Sequence, residues 1–179
     1  MNPSSPQSGS LGTGSLREQY GAEIDTVLAK YPADQKRSAV MPLLYIAQRE
    51  HGYVTRDQLD QVGEILGISS TDVASIVGFY TLYHDEPEGR YRIQVCNDLP
   101  CALRGADKFL RELCDRLGVE PGGTTTDGVV TVEGVMCLAA CHHAPMFQVQ
   151  SRTEISYHED QTVEKAIQMV ESWRQANGQ

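Results

Sequence analysis

A mixed α+β or α/β fold, with an N-terminal helical bundle ahead of a small layered domain, is the class this sequence predicts. Three observations point to it. From residue 17 to residue 83 apolar side chains recur at helical spacing. Beyond the polar stretch HDEPEGR at 84–90, short β-branched and aromatic runs alternate with helical ones. Four of the five cysteines fall in that second part, in two tight pairs: Cys96 with Cys101, and Cys137 with Cys141.

Taken in order, residues 1–16 are uncharged and rich in Ser, Gly and Pro, and read as a disordered tail. They contain neither a basic n-region nor an apolar h-region, so export is not expected. Residues 17–83 read as a four-helix unit. The first helix takes Ser15 as its N-cap, carries Tyr20, Ile24, Val27 and Leu28 on one face, and stops at Tyr31-Pro32. A second covers about 34–51, with Val40, Leu43, Leu44 and Ala47 at helical spacing, Gly52 as the stop, and Pro42 in its first turn or at a kink. Thr55 and Gln58 form a capping box for a third, which buries Leu59, Val62, Ile65 and Leu66 and closes at Gly67. Ser70 caps a fourth, through Val73, Ile76, Val77 and Tyr80.

The third and fourth helices have the length and central glycine of a helix-turn-helix. Charge argues against that use. Between His51 and Tyr83 Arg56 faces Asp57, Asp60, Glu64 and Asp72, a net of −3, where a groove-binding pair needs a basic face. A packing and docking bundle is the expectation.

Residues 84–90 read as a linker and 91–179 as the layered domain. YRIQV (91–95) is a strand that delivers Cys96, and residues 104–118 form an amphipathic helix with Phe109, Leu110, Leu113, Cys114 and Leu117 on one face. Cys114 is therefore read as core. GVVTV (128–132) is a second strand, 146–150 and 153–158 a hairpin, and 161–175 the last helix, giving the order β-α-β-β-β-α.

The cysteines carry the chemistry. The spacing is C-x4-C, then 35 residues, then C-x3-C. Two converging thiolate pairs make a four-sulfur metal site, and soft sulfur selects zinc, cuprous copper or iron–sulfur clusters. Zinc knuckles usually run C-x2-C, whereas these wider loops suit a [2Fe–2S] cluster with two thiolates on each iron. Structural zinc, disulfides and unrelated thiols stay open on spacing alone. A thioredoxin-type C-x-x-C is absent.

The runs GFYTLYHDEPEGRYRIQVCNDLPCALRGAD and VMCLAACHHAPMFQV resemble the 24-kDa-type subunit family of respiratory complex I. In bacteria this is the E subunit of NADH-quinone oxidoreductase, a thioredoxin-like [2Fe–2S] ferredoxin. The likeness covers about residues 17–175 and includes flanking words as well as cysteines. It implies a thioredoxin-like ferredoxin domain after the helical bundle, and one [2Fe–2S] cluster on Cys96, Cys101, Cys137 and Cys141. It also implies an electron-carrying subunit of an NADH-oxidising enzyme, with FMN and NADH bound only by a partner flavoprotein subunit. Other peripheral-arm subunits would be neighbours, on the cytoplasmic side of the membrane and peripheral to it through the complex. Closely similar subunits serve NAD-linked hydrogenases and formate dehydrogenases, and a structural zinc module is the alternative from another class. The sequence departs from the family at Ala139, where glycine is common between the last two cysteines, and alanine resists positive φ.

The flanking residues are read by the same light. Cys101 is placed just before a helix that begins near Leu103-Arg104, so the positive end of that helix points at the cluster. Arg104 either adds to this charge or is a solvated surface arginine. His142 and His143 are loop residues near the cluster; four cysteines already complete a ligand set, so a Rieske arrangement is not needed. Ala144-Pro145 falls where thioredoxin-like folds often carry a cis proline, although a trans bond is the ordinary expectation.

Composition agrees. A net charge of −9 and a pI near 4.9 disfavour nucleic acid, and five cysteines suit a reducing compartment. The longest apolar run, AVMPLLYIA at 39–47, is too short for direct membrane insertion. No nucleophile motif, P-loop or G-x-G-x-x-G is present, so the chain by itself carries electrons and has no substrate site of its own.

Overall fold

The structure, a computed structural model, describes residues 14–177. Residues 1–13, most of the expected tail, lie outside the described residues. The chain divides into two compact units. One holds the residues up to Ala47 together with Val54–Tyr83, and the other holds Gln48–Tyr53 and the residues from His84 onward.

The first unit is helical. Helix α1 (Leu16–Leu28) starts at a capping box in which Ser15 and Glu18 satisfy each other's backbone N–H groups. A 3₁₀ turn (Lys36–Ala39) leads into α2 (Val40–His51), where Pro42 sits in the first turn and its missing N–H has no helical acceptor to lose. Helix α3 (Arg56–Leu66) has the Thr55–Gln58 capping box, and Gly67 at φ +67° ends it. Helix α4 (Ser70–Phe79) is capped by Ser69, whose hydroxyl accepts from the Asp72 N–H, so the cap falls one residue ahead of the expected Ser70. A Cβ on Gly63 would come within 2.8 Å of the Ile68 carbonyl oxygen, so only glycine lets the α3–α4 turn close this tightly. Ile24, Leu43, Leu44, Val62 and Val73 lie in one buried apolar cluster.

The second unit is built on a five-stranded sheet of order β2-β3-β1-β4-β5. The strands are β1 (Tyr91–Cys96), β2 (Gly123–Thr124), β3 (Val130–Val135), β4 (Phe147–Gln150) and β5 (Ile155–His158). β1 and β3 run parallel; all other neighbours are antiparallel. The two-residue β2 strand was not expected, since Gly123-Thr124 is too short to show an alternation.

Two helices, α6 (Ala106–Leu117) and α7 (Val163–Asn177), bury Phe109, Leu110, Leu113, Val163, Ala166 and Val170 in the same cluster as Ile93, Val95, Val132 and Phe147 of the sheet. Cys114 lies in this core, 2 % exposed, and burial pushes its thiol up to about 11. Trp173 of α7 stacks on Tyr91 with ring centroids 4.2 Å apart. The alternate residues of β1 are polar and buried: Gln94 accepts from Gln148 across one ladder and donates to Glu133 (2.6 Å) across the other.

Candidate metal centre

Strand register brings the cysteine pairs together. Cys96 is the last residue of β1 and stands opposite Val135 of the parallel strand β3, two residues before Cys137. Because β4 is antiparallel to β1, with Val95 opposite Phe147, the loop 136–146 leaves and re-enters the sheet at this same end, carrying Cys141. Backbone bonds from Cys96 N–H to Met146 C=O (3.2 Å) and from Asn97 N–H to Val135 C=O (3.1 Å) pin the end of β1 to both neighbours.

Cys101 sits inside a short helix, α5 (Leu99–Leu103), and not ahead of one as expected. Asp98 caps it by accepting from the Leu99 N–H, and Pro100 lies in its first turn, where no N–H is needed. The chain breaks at Arg104-Gly105, with Gly105 at φ +93°, before α6 begins. The longer helix α6 begins five residues after Cys101. Its first residue, Ala106, is fully buried in one cluster with Cys96, Cys101, Ala140, Ala144 and Met146, against which Cys141 also packs. That terminus presents roughly half a positive charge to sulfur.

Cys96, Cys101 and Cys141 interact directly. Burial, then hydrogen bonding and charge from Cys96 and from Cys141, pushes the Cys101 thiol up to about 12. Thiolates crowded this way repel, so Cys101 keeps its proton at neutral pH unless a cation takes its place. Cys137 is exposed, and its sulfur accepts the Ala139 N–H at 3.3 Å. Among the described residues no three His, Cys, Asp or Glu side chains are set to hold one metal ion. A two-iron cluster makes a different demand, two sulfurs on each iron, and a packed group of three thiols with a fourth on the same loop matches it. The cradle around the thiols combines the small side chains of Ala106, Ala140 and Ala144 with the buried Met146. The residues present fit a [2Fe–2S] group.

The flanking residues have structural partners. Arg104 is exposed and its Nε donates to the Ala144 carbonyl at 3.3 Å, tying the end of α5 to the Cys141 loop. Ala144-Pro145 is cis. His143 Nδ1 lies 2.8 Å from Asp160 Oδ2, while the Asp160 N–H donates to the His143 carbonyl (2.8 Å). Asp160 was not singled out in the sequence; it is 17 residues from His143 and nothing local marks it.

A protein-family model described as thioredoxin-like [2Fe-2S] ferredoxin matches residues 24–174. The chain belongs to this family. Among family relatives, it is 40% identical over 154 residues to the E 2 subunit of NADH-quinone oxidoreductase from Rhizobium meliloti (strain 1021), covering 86% of this chain and 88% of that one. It is 38% identical over 126 residues to NADH-quinone oxidoreductase subunit 2 of Thermus thermophilus, 70% of each chain. A crystal structure of NAD+-reducing [NiFe]-hydrogenase in the air-oxidized state superposes with a TM-score of 0.62 at 16% identity, over 75% of this chain and 23% of that one. The chain thus spans under a quarter of the hydrogenase chain, and at that identity the likeness shows the fold alone. The mixed α/β architecture and the thioredoxin-like [2Fe–2S] assignment expected from the sequence are those found.

Proposed function

We propose that this ferredoxin is the electron-transfer subunit of the NADH-oxidising module of NADH-quinone oxidoreductase, exchanging single electrons with the FMN of a partner flavoprotein subunit. The observation that carries the reading is the meeting of Cys96, Cys101 and Cys141 at the sheet end that also launches Cys137. The names of the two bacterial relatives support the assembly. When bound, a [2Fe–2S] group supplies one-electron chemistry.

The chain's own residues then have separable tasks. Cys96, Cys101, Cys137 and Cys141 hold the irons. The N-terminus of α6 and the Ala139 N–H place positive dipoles toward sulfur, which favours the reduced state. Met146, Ala140 and Ala144 keep water from the inner flank, while Met136 and Cys137 leave the outer flank exposed for a donor to approach.

Among the described residues no single helix is long and apolar enough to cross a membrane; α3 and α4 meet that test only as a pair bent by 116°, and they bury Val62, Val73 and Val77 in the first unit's core. The names of the relatives support a place at the membrane's cytoplasmic face through partner subunits.

Anaerobic purification, iron, zinc and sulfide analysis, and low-temperature EPR before and after dithionite test the reading. Two irons and two sulfides per chain, with a spin-half signal appearing only on reduction, are expected. Stoichiometric zinc without a signal in protein never exposed to oxygen would replace the electron carrier by a structural zinc module.

A further inference from the structure

Arg104 joins the two segments that carry Cys101 and Cys141. Its backbone N–H donates to the Cys101 carbonyl at 3.0 Å, and its side-chain Nε donates to the Ala144 carbonyl at 3.3 Å, 40 residues along the chain. The Ala144 N–H in turn donates to the Cys141 carbonyl at 3.4 Å. Arg104 and Ala144 thus complete a hydrogen-bonded bridge from the backbone of one cysteine to the backbone of the other.

The other backbone bonds that anchor loop 136–146 run elsewhere. The Met146 carbonyl accepts from the Cys96 N–H at the end of β1, and the His143 and Pro145 carbonyls accept from the Asp160 and Gln161 N–H groups, 2.8 Å each, ahead of α7. Those bonds set the loop against β1 and against the turn before α7. Among the described residues, the Arg104 bond sets it against α5. Ala144 is buried, and a buried carbonyl that loses its donor is costly. Arg104 itself is exposed, so its side chain closes the bridge from the solvent side and fills no place in the core.

We propose that Arg104 is a positioning residue for the metal centre, a strap from α5 to the Cys141 loop that holds Cys101 and Cys141 together and slows the release of iron. The inference rests on the reading above that these cysteines are ligands. Iron leaves only after a thiolate has moved away from it, and two segments tied to each other separate less readily than two free ones. Residues that orient metal ligands without touching the metal typically account for about tenfold or more in retention. The strap acts through its hydrogen bond, because the donor is Nε and the acceptor is a neutral carbonyl.

Two variants separate the bond from the charge. Glutamine matches arginine in length as far as Nε, so Arg104→Gln keeps a donor there and removes the charge, whereas Arg104→Met has the same length and neither. The full chain is loaded with its cluster, assayed for iron and sulfide, and then held under argon with excess iron chelator while its visible absorbance decays. Arg104→Met should release iron about tenfold faster than wild type, and Arg104→Gln should stay within about threefold. Far-UV circular dichroism should be the same in all three, since the side chain is exposed. The proposal is overturned if Arg104→Met releases iron no faster than wild type. It is also overturned if Arg104→Gln fares as badly as Arg104→Met, which would assign the effect to the charge. A wild type that loads no cluster overturns the ligand reading, and the strap with it.

Discussion

Ala139 holds φ at +62° and, in that conformation, donates its N–H to Cys137 Sγ at 3.3 Å. The loop therefore takes the left-handed turn that glycine would take freely, and alanine bears a Cβ clash to keep the N–H aimed at sulfur. The left-handed region costs alanine about 1–2 kcal/mol, partly offset by the extra chain entropy that glycine loses on folding. Ala139→Gly should stabilise the protein by about 0.5–1 kcal/mol and raise its unfolding midpoint by roughly 1–4 °C. Thermal unfolding of cluster-loaded protein checks this, and a lower midpoint in the variant would show that the turn is not strained. The visible spectrum should not change, since the N–H donor remains.

The proposed ligand set leaves Cys114 aside. Cys114 sits among Phe109, Leu110 and Leu113 in the sheet core, apart from the Cys96–Cys101–Cys141 group. Cys114→Ala is expected to keep two irons and two sulfides per chain and to cost about 1 kcal/mol of stability for the lost sulfur contacts. Serine at Cys96, Cys101, Cys137 or Cys141 should leave less than half the iron after desalting. Full iron retention in Cys137→Ser, the exposed member, would remove it from the ligand set.

What was legible in the sequence was what is local. The capping boxes Ser15–Glu18 and Thr55–Gln58 span three residues each, and both formed as read. Ser70 reads as the cap of the fourth helix, but the adjacent Ser69 takes that role, its hydroxyl accepting the Asp72 N–H. The cysteine spacing is compatible with a four-sulfur site but leaves disulfides and unrelated thiols open, and the approach of the two pairs depends on β1 lying parallel to β3 in a register that no spacing encodes. The placement of Cys101 went astray because the signals for α5, Asp98 as cap and Pro100 in the first turn, were overshadowed by the stronger period of α6. The Arg104–Ala144 and His143–Asp160 links are non-local, so only the folded chain reveals them.

His84 gives a pH dependence whose sign can be worked out. Burial, then the Arg92 charge, lowers its pKa below the ordinary 6.5, while Gln150, Glu133 and Asp85 pull the other way. The unfolded chain thus takes up the proton more readily than the folded one. Stability from this residue is fully present above about pH 6.5 and is lost as the pH falls toward the folded value. Urea unfolding at pH 7.5, 6.5 and 5.5 should show wild type losing more stability on acidification than His84→Gln. Identical slopes in the two proteins would mean that His84 is not held neutral by its surroundings.

Around the exposed flank of the metal centre, apolar side chains face water: Leu99 is 69 % exposed, Leu103 81 % and Met136 76 %. Each lies within two residues of a proposed ligand cysteine, Leu99 and Leu103 on either side of Cys101 and Met136 beside Cys137. Large apolar groups left in water next to a redox site are suited to a partner that must come close, since electron exchange needs contact and the contact must release readily. In the double variant Leu103→Gln, Met136→Gln the fold and iron content should be unchanged, because neither side chain is packed in the core. Association with the proposed flavoprotein partner should weaken by about tenfold, the loss of roughly 1.4 kcal/mol. Stopped-flow reduction at limiting flavoprotein concentration reads this directly, as a slower rate that saturates at a higher partner concentration but at the same maximum. A lower maximum at unchanged half-saturation would assign the two residues to the transfer step itself, and an unchanged profile would move the docking face elsewhere on the chain.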